Sequence, residues 1–312
     1  MQLEVRTDPL TGQTCRLVPP AGLLPRSDFD LEALAEETRA TCPFCPDRIR
    51  DVTPRFPAAL VADGRIEQGE ALLFPNLLPY SKYSSVSVYS PARHFLPLAE
   101  ITPRLLADNL GVQVAFARRV METDPGAKWS SVNANHMLPS GSSVFHPHLQ
   151  GSVNPLPTTM QRLLADVPAD RLRGYVDEER ERGERFVADT GRVVWLASFA
   201  PVGPAELRAF VFGVASPAQL DGEVIEELAA GIAAALGLYD ELGFGSFNLA
   251  LYGAPAETRG YHPLNLRMIC RSNVAPLYRS DATWLERLHW EAAVDVVPEE
   301  LATQARSHFV GL

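Results

Sequence analysis

The chain is expected to fold as an α/β (α+β) protein of two similar halves, and three observations carry that expectation. The order strand, helix, strand recurs along the 312 residues. A His-Pro pair recurs at His146-Pro147 and His262-Pro263, at matching places in the two runs, and Asn76-Leu77-Leu78-Pro79 has a counterpart in Ser198-Phe199-Ala200-Pro201. A hydrophobic content of 46% is enough for one large core or two smaller ones, so disorder is not indicated.

Residues 72–79 form an apolar, Pro-punctuated segment. It leads into 82–89, where Tyr83, Ser85, Ser87 and Tyr89 alternate with Ser84, Val86 and Val88, the period of a strand. Thr102 is placed to cap a helix through about residue 122, with Leu105, Leu106, Leu110, Val112, Phe116 and Val120 on a broad apolar face. A strand over 129–135, a Gly/Ser/Pro loop and a strand holding Phe145-His146-Pro147-His148-Leu149-Gln150 follow. In the second half, 193–199 and 206–213 read as strands, 221–238 as an Ala-rich helix and 247–252 as a further strand. Tyr261-His262-Pro263-Leu264-Asn265-Leu266 then falls where the paired-histidine segment falls in the first half, with Leu264 in the place of His148. Residues 154–184, polar and rich in Arg and Glu, form a partly helical connection, which divides the chain into 1–184 and 185–312. The Glu-Arg run at 178–185 reads as a solvated helix face.

A formal charge of −10 and a pI near 5.2 argue against a nucleic-acid polymer as partner, because such binders concentrate Lys and Arg on one face. Small nucleotides need only a few local donors and stay open. The first eight residues carry charges where a leader peptide needs an apolar core, and no run reaches the ~18 apolar residues of a membrane span. The expected setting is cytoplasmic, without membrane attachment. Four cysteines in this length do not make a disulfide framework.

His146 and His148 are two of only seven histidines, and a strand would project both to one face. A neutral imidazole is both a metal ligand and a nucleophile, so the pair can divide those roles. Cys42-Pro43-Phe44-Cys45 has the spacing of a zinc knuckle, and His94 and His146 are available to complete a Cys2His2 set. The plainer alternative is two buried thiols acting as small hydrophobes. Cys15 and Cys270 have no such neighbour. His148 is the candidate nucleophile, needing one ring nitrogen free and the other held by an acceptor. Gln150 shares its strand face and can donate to phosphate oxygens, and residues 135–143 offer Gly and Ser donors to a phosphate. His136, His289 and His308 read as solvated or core-satisfied.

Asn135, then His146-Pro147-His148-Leu149-Gln150, with Cys42-Pro43-Phe44-Cys45 and His94 upstream, resembles the galactose-1-phosphate uridylyltransferase family of the histidine-triad superfamily. Arg6-Thr7-Asp8-Pro9-Leu10-Thr11-Gly12 is similar to that family's start, and the stretch from Tyr239 to Pro255 to its second half. The resemblance implies two fused histidine-triad-like halves, each an antiparallel sheet with a packed helix, related by a pseudo-twofold duplication, and a homodimer. It implies that Cys42, Cys45, His94 and His146 bind Zn and that His148 takes up a nucleoside monophosphate covalently. Gln150 marks transferases and phosphorylases, whereas the hydrolase branch has a third histidine there. Ser143 and Gly141 match phosphate contacts, Asn135 a residue near the ribose or sugar phosphate, and Asn76 the ribose-binding residue. Phe44 and Phe74 are placed to wall the base.

The activity so implied is transfer of a nucleoside monophosphate from a nucleoside diphosphate sugar to a phosphate-bearing acceptor. Two other readings stand beside it: a phosphorylase of dinucleoside polyphosphates or adenylyl sulfate, and a zinc-stabilised nucleotide-binding protein without turnover. The chain departs from the family at Leu264, where a second histidine is expected. In the hexose-binding tail only Trp290-Glu291 stands for a Tyr-Glu pair, and the basic residues near the start are reduced to Arg16 and Arg26.

Overall fold

The computed structural model describes residues 2–18, 30–258, 263–275 and 280–312, so Arg26, Tyr261 and His262 lie outside the described residues. The chain opens with the hairpin β1 (Glu4–Thr7) and β2 (Thr14–Leu17), which turns at Asp8 as its carboxylate accepts the Leu10 N–H at 2.8 Å. Helix α1 (Leu31–Arg39) is capped by Asp30, and α2 (Ile49–Val52) is one turn after the Cys42-Cys45 knuckle. Then come β3 (Ile66–Gln68), β4 (Ala71–Pro75), β5 (Tyr83–Val88), α3 (Pro103–Thr123), β6 (Trp129–His136) and β7 (His148–Asn154). The connection carries α4 (Thr159–Ala165) and α5 (Ala169–Arg182). The second half repeats the pattern with β8 (Phe186–Asp189), β9 (Val193–Ala197), β10 (Leu207–Val211), α6 (Gly222–Glu241), β11 (Phe247–Tyr252) and β12 (Leu264–Cys270). Strand β13 (Ala292–Val294) and α7 (Pro298–His308) close the chain.

Ten strands form one antiparallel sheet in the order β3-β4-β5-β7-β6-β11-β12-β10-β9-β8. Read from either edge to the centre the order is the same: three strands in sequence, then the fifth, then the fourth, with the long helix between the third and fourth. The halves join where β6 runs beside β11, Val132 opposite Leu251 and Asn135 opposite Asn248. Asn76 follows β4 and Ser198 follows β9, the same place in each half.

Helices α3 and α6 share one face of this sheet. The Thr102 side chain accepts the Leu105 N–H at the start of α3, and Asp221 accepts the Val224 N–H at the start of α6. Leu105, Leu106, Leu110 and Val114 of α3 and Val224, Leu228, Ile232 and Leu236 of α6 pack into one core with Leu149, Leu249, Leu251, Leu264 and Leu266 of the strands. Each such fully buried side chain contributes about 1.5–3 kcal/mol. The serines of β5 are buried as well: Ser85 donates to Gln113 Oε1 at 2.9 Å and Gln113 Nε2 donates to Ser87 at 2.6 Å, so α3 meets β5 through a satisfied polar row. Gly151 permits this approach, because a Cβ there would lie 2.2 Å from Gln113 Oε1.

Alternation puts Leu149 on the helix face and His148 and Gln150 on the other. In β12, Leu264 and Leu266 join the helix-face core, leaving Asn265 and Arg267 on the face of His148. Leu264 therefore does not occupy the place of His148. Asn265 does: its side chain donates to the Pro263 carbonyl at 2.9 Å, as His148 donates to the His146 carbonyl at 2.9 Å.

The first residues pack with the second half, not with the half they precede. Strand β2 pairs with β13, and Asp8 enters the sheet face beneath Asn265. There its Oδ2 accepts from Arg267 Nη2 at 2.9 Å and Arg208 Nη1 at 3.3 Å, and Glu206 lies 3.3 Å from Arg267 Nη1. The Glu-Arg run is not simply solvated either, since Glu179 and Arg185 form a buried ion pair at 2.9 Å. Among the described residues no helix is long and apolar enough to cross a membrane.

Candidate active site

On the face away from α3 and α6, an open cleft of about 220 Å³ is lined by Phe44, Phe74, Asn76, Ser143, His148 and Gln150. Six of the residues singled out from the sequence thus share one wall. Val52, Leu77, Leu78 and Tyr80 complete the apolar rim. The last three, in the loop between β4 and β5, are among the most exposed large apolar side chains. The Phe44 ring lies 5.4 Å from Phe74 and 5.6 Å, edge to face, from His148. Asn76 also holds its own loop, its Oδ1 accepting the Leu78 N–H at 3.0 Å.

Strand β7 starts at His148, three residues after the start of the segment expected to lie in it, and His146 meets the cysteine knuckle from before the strand. Both rings nevertheless lie against Phe44, His146 turned to the thiols and His148 lining the cleft. His148 Nδ1 donates to the His146 carbonyl at 2.9 Å. A carbonyl only accepts, so Nδ1 carries the proton and Nε2 keeps its lone pair. Burial disfavours the charged ring and holds the His148 pKa below the ordinary histidine range, an effect the His146 carbonyl opposes. The ring is therefore neutral at pH 7, as a nucleophile must be.

Cys42, Cys45, His94 and His146 are all buried, and their ligand atoms lie within 4.8 Å of one another. The S-to-N separations are 3.6 Å for Cys42–His146, 3.3 Å for Cys45–His94 and 3.9 Å for Cys45–His146. A tetrahedral zinc with bonds of about 2.3 Å to sulfur and 2.0 Å to nitrogen sets such separations near ~3.5 Å. Each histidine turns Nδ1 to the thiols and donates Nε2–H to a carbonyl, His94 to Ala35 and His146 to Ser90, both at 2.9 Å. Outer hydrogen bonds of this kind fix the tautomer of a metal-bound imidazole. Burial and the neighbouring Cys42 push the Cys45 thiol up to about 12, so a divalent cation is what would ionise it. The donor set fits zinc.

Asn135 and Gly141 sit beside the cleft instead of in its wall. The atom nearest to where a Cβ would stand on Gly141 is Asn135 Nδ2, at 3.9 Å, and Gly141 has a φ of +94°, which favours glycine. Asn248 of β11 completes this corner, donating to Asn135 Oδ1 at 2.7 Å and to the Ser140 carbonyl at 3.0 Å. Nothing in the sequence singled out Asn248, because its partner lies 113 residues away. Of the histidines expected to be solvated or core-satisfied, His136 is buried and stacked on Phe247, and His308 pairs with Glu241 at the surface. Glu291 is taken up by Thr14 and Arg16 of β2, and Trp290 beside it is exposed.

No family model matches the chain. A protein of Archaeoglobus fulgidus, described only as uncharacterized, is 31% identical over 319 aligned positions, which cover 97% of this chain and 92% of its own length. Among solved structures, a GalT-like protein from Arabidopsis thaliana superposes with a TM-score of 0.70 at 18% identity, over 97% of this chain and 98% of its own. An ADP-glucose phosphorylase from Arabidopsis thaliana with bound ADP-glucose gives 0.71 at 18% identity, over 98% of each chain. A uridylyltransferase gives 0.62 at 19% identity, again over 98% of each. The chain therefore belongs to one family with the Archaeoglobus fulgidus protein, and it has the fold of the GalT-like protein, the ADP-glucose phosphorylase and the uridylyltransferase.

Proposed function

We propose that the protein is a nucleotidyltransferase working through a covalent nucleotidyl-histidine, with a nucleoside diphosphate sugar as donor and a phosphate-bearing molecule as acceptor. The observation that carries this reading is the His148 Nδ1–H bond to the His146 carbonyl, which leaves Nε2 as the basic atom of a neutral ring lining the cleft. In the first half-reaction the Nε2 lone pair forms a bond to the α-phosphorus, and the bond to the bridging oxygen breaks. That oxygen leaves with its electron pair as the sugar 1-phosphate. In the second half-reaction an acceptor phosphate oxygen attacks the same phosphorus and Nε2 takes its electron pair back.

Phe44 and Phe74 wall the base and Asn76 reaches the ribose. Gln150, Ser143, Gly141 and Asn135 supply donors to the phosphate oxygens as charge builds. Cys42, Cys45, His94 and His146 would hold a zinc ion, whose chemistry there is structural cross-linking of the knuckle to the strand ends. Since His146 is one ligand and its carbonyl holds His148, the cluster and the nucleophile share a single residue of backbone. Phosphorolysis is the second reading, with inorganic phosphate as acceptor, and the fold's likeness to an ADP-glucose phosphorylase favours it.

The test is isotope exchange. Labelled glucose 1-phosphate is incubated with unlabelled UDP-glucose or ADP-glucose and no other acceptor. Label entering the nucleotide sugar supports the covalent route, and its absence with both donors, while inorganic phosphate still releases the sugar phosphate, would show direct transfer instead.

A further inference from the structure

At the seam between the halves, three side chains form a chain of hydrogen bonds with a fixed polarity. Arg271 Nη1 donates to Asn248 Oδ1 at 2.7 Å, and Asn248 Nδ2 donates to Asn135 Oδ1 at 2.7 Å and to the Ser140 carbonyl at 3.0 Å. An amide can be turned over without changing its shape, so its direction must be argued from its partners. Arginine has no acceptor, so the Asn248 atom facing it is the oxygen and the Asn248 NH2 faces the first half. The Asn135 atom that receives that NH2 is therefore its oxygen. The Asn135 NH2 is left on the opposite side, toward Gly141 and the loop that leads to His148.

Arg271 is itself held. Asp281 accepts its Nε at 2.7 Å and its Nη2, and accepts the Ser272 N–H at 3.0 Å, so the guanidinium cannot rotate away. Asn248 Nδ2 also anchors the Leu138–Ser140 turn through the Ser140 carbonyl. That turn follows Met137, a buried residue with φ of +68°, a conformation that needs support from its surroundings.

We propose that Asn248, contributed by the second half, is a positioning residue that fixes the Asn135 amide as a hydrogen-bond donor toward the transferred phosphate, with Arg271 and Asp281 setting its direction. This rests on His148 being the nucleophile. The second half then serves the reaction through Asn135, although it has no paired histidine of its own.

Asn248→Asp tests the polarity with almost no change of shape. The carboxylate keeps Arg271 as a partner but has no N–H for Asn135, so the Asn135 amide turns its NH2 to the new carboxylate and its oxygen to the phosphate. The single-turnover rate of nucleotide transfer onto His148, read by intact-protein mass at saturating donor, is expected to fall about 100-fold. The half-saturating donor concentration is expected to change less than about threefold, since the interaction is made mainly in the transition state. Asn135→Ala loses the same donor, so the double variant Asn135→Ala/Asn248→Asp is expected to be no slower than Asn135→Ala alone. Asn248→Ala breaks the bridge without adding a charge and carries the test if the aspartate variant does not fold. Thermal midpoint and bound zinc report folding. Losses that multiply in the double variant, or labelling of both Asn248 variants at the wild-type rate, would overturn the proposal. Failure of the underlying reading shows separately, as a wild-type protein that takes up no nucleotide at all.

Discussion

Replacing Asp8 by alanine removes a carboxylate that bridges two buried arginines. Asp8 is 3% exposed, Arg208 1% and Arg267 3%, and among the described residues Glu206 lies within ion-pair distance of Arg267 but not of Arg208. Burial pushes the Asp8 carboxyl upward, but Arg208 and Arg267 outweigh it and hold its pKa below the ordinary carboxylate range, so the group is ionised in the folded protein. The variant leaves two guanidiniums facing Glu206, with Arg208 Nε and Arg267 Nε already without hydrogen-bond partners among the described residues. Breaking a buried pair from one side costs about 3–5 kcal/mol. At roughly 2.1 cal/mol/K of unfolding entropy per residue, a chain of this length should lose about 5–8 °C of thermal midpoint. Circular dichroism melts of wild type and Asp8→Ala at pH 7.5 measure it. The sign with pH follows from the lowered pKa: the contribution is present above about pH 4 and is lost as the pH falls through the folded value. A midpoint within about 2 °C of wild type would refute the view that Asp8 locks the first hairpin onto the second half.

His136 is fully buried and its pKa is pushed down to about 3, chiefly by burial and in part by His148, so it folds neutral while the unfolded chain takes a proton below about pH 6.5. Its contribution is complete above pH 6.5 and falls toward pH 3, a loss of about 2 kcal/mol by pH 5, and urea titrations of His136→Leu should show that part of the acid limb flattened. Purified protein should carry about one zinc per chain, lost with a falling thermal midpoint in Cys45→Ser, as elemental analysis and melting together will show. Tyr239→Phe should cost about 1–3 kcal/mol by urea unfolding, because the buried hydroxyl bonds the Ala205 carbonyl at 2.9 Å and the Met268 carbonyl at 3.0 Å.

How far the sequence carried depends on the range of the interaction. Thr102 and the leucines after it set α3 because capping and a 3.6-residue period are local, and the strand over residues 247–252 was legible for the same reason. The knuckle and the paired histidines were legible because they are short motifs with their own chemistry, and the fold brings Cys42, Cys45, His94 and His146 within bonding range of a common centre. Alternation shows a strand but not which of its sides is buried, and a short shared motif does not fix its register. Ser85 and Ser87 face α3, and Asn265 stands in for His148 while Leu264, aligned by the shared His-Pro pair, points to the helices. The Asp8 plug, the Glu179–Arg185 pair and Asn248 could not be read at all. Each depends on a partner brought in by the topology, and a charge or an amide in sequence looks the same whether its partner is water or a buried arginine.

In the proposed reaction His148 Nε2 takes up the nucleotide. Intact-protein mass spectrometry at neutral pH, on wild type and His148→Ala mixed with UDP-glucose, UDP-galactose and ADP-glucose in turn, tests it most directly. A mass gain matching UMP or AMP is expected on the wild type with at least one donor, mapped by peptide analysis to His148 and absent from the variant. A wild-type protein that gains no mass with any donor, or an adduct that persists in His148→Ala, would contradict it.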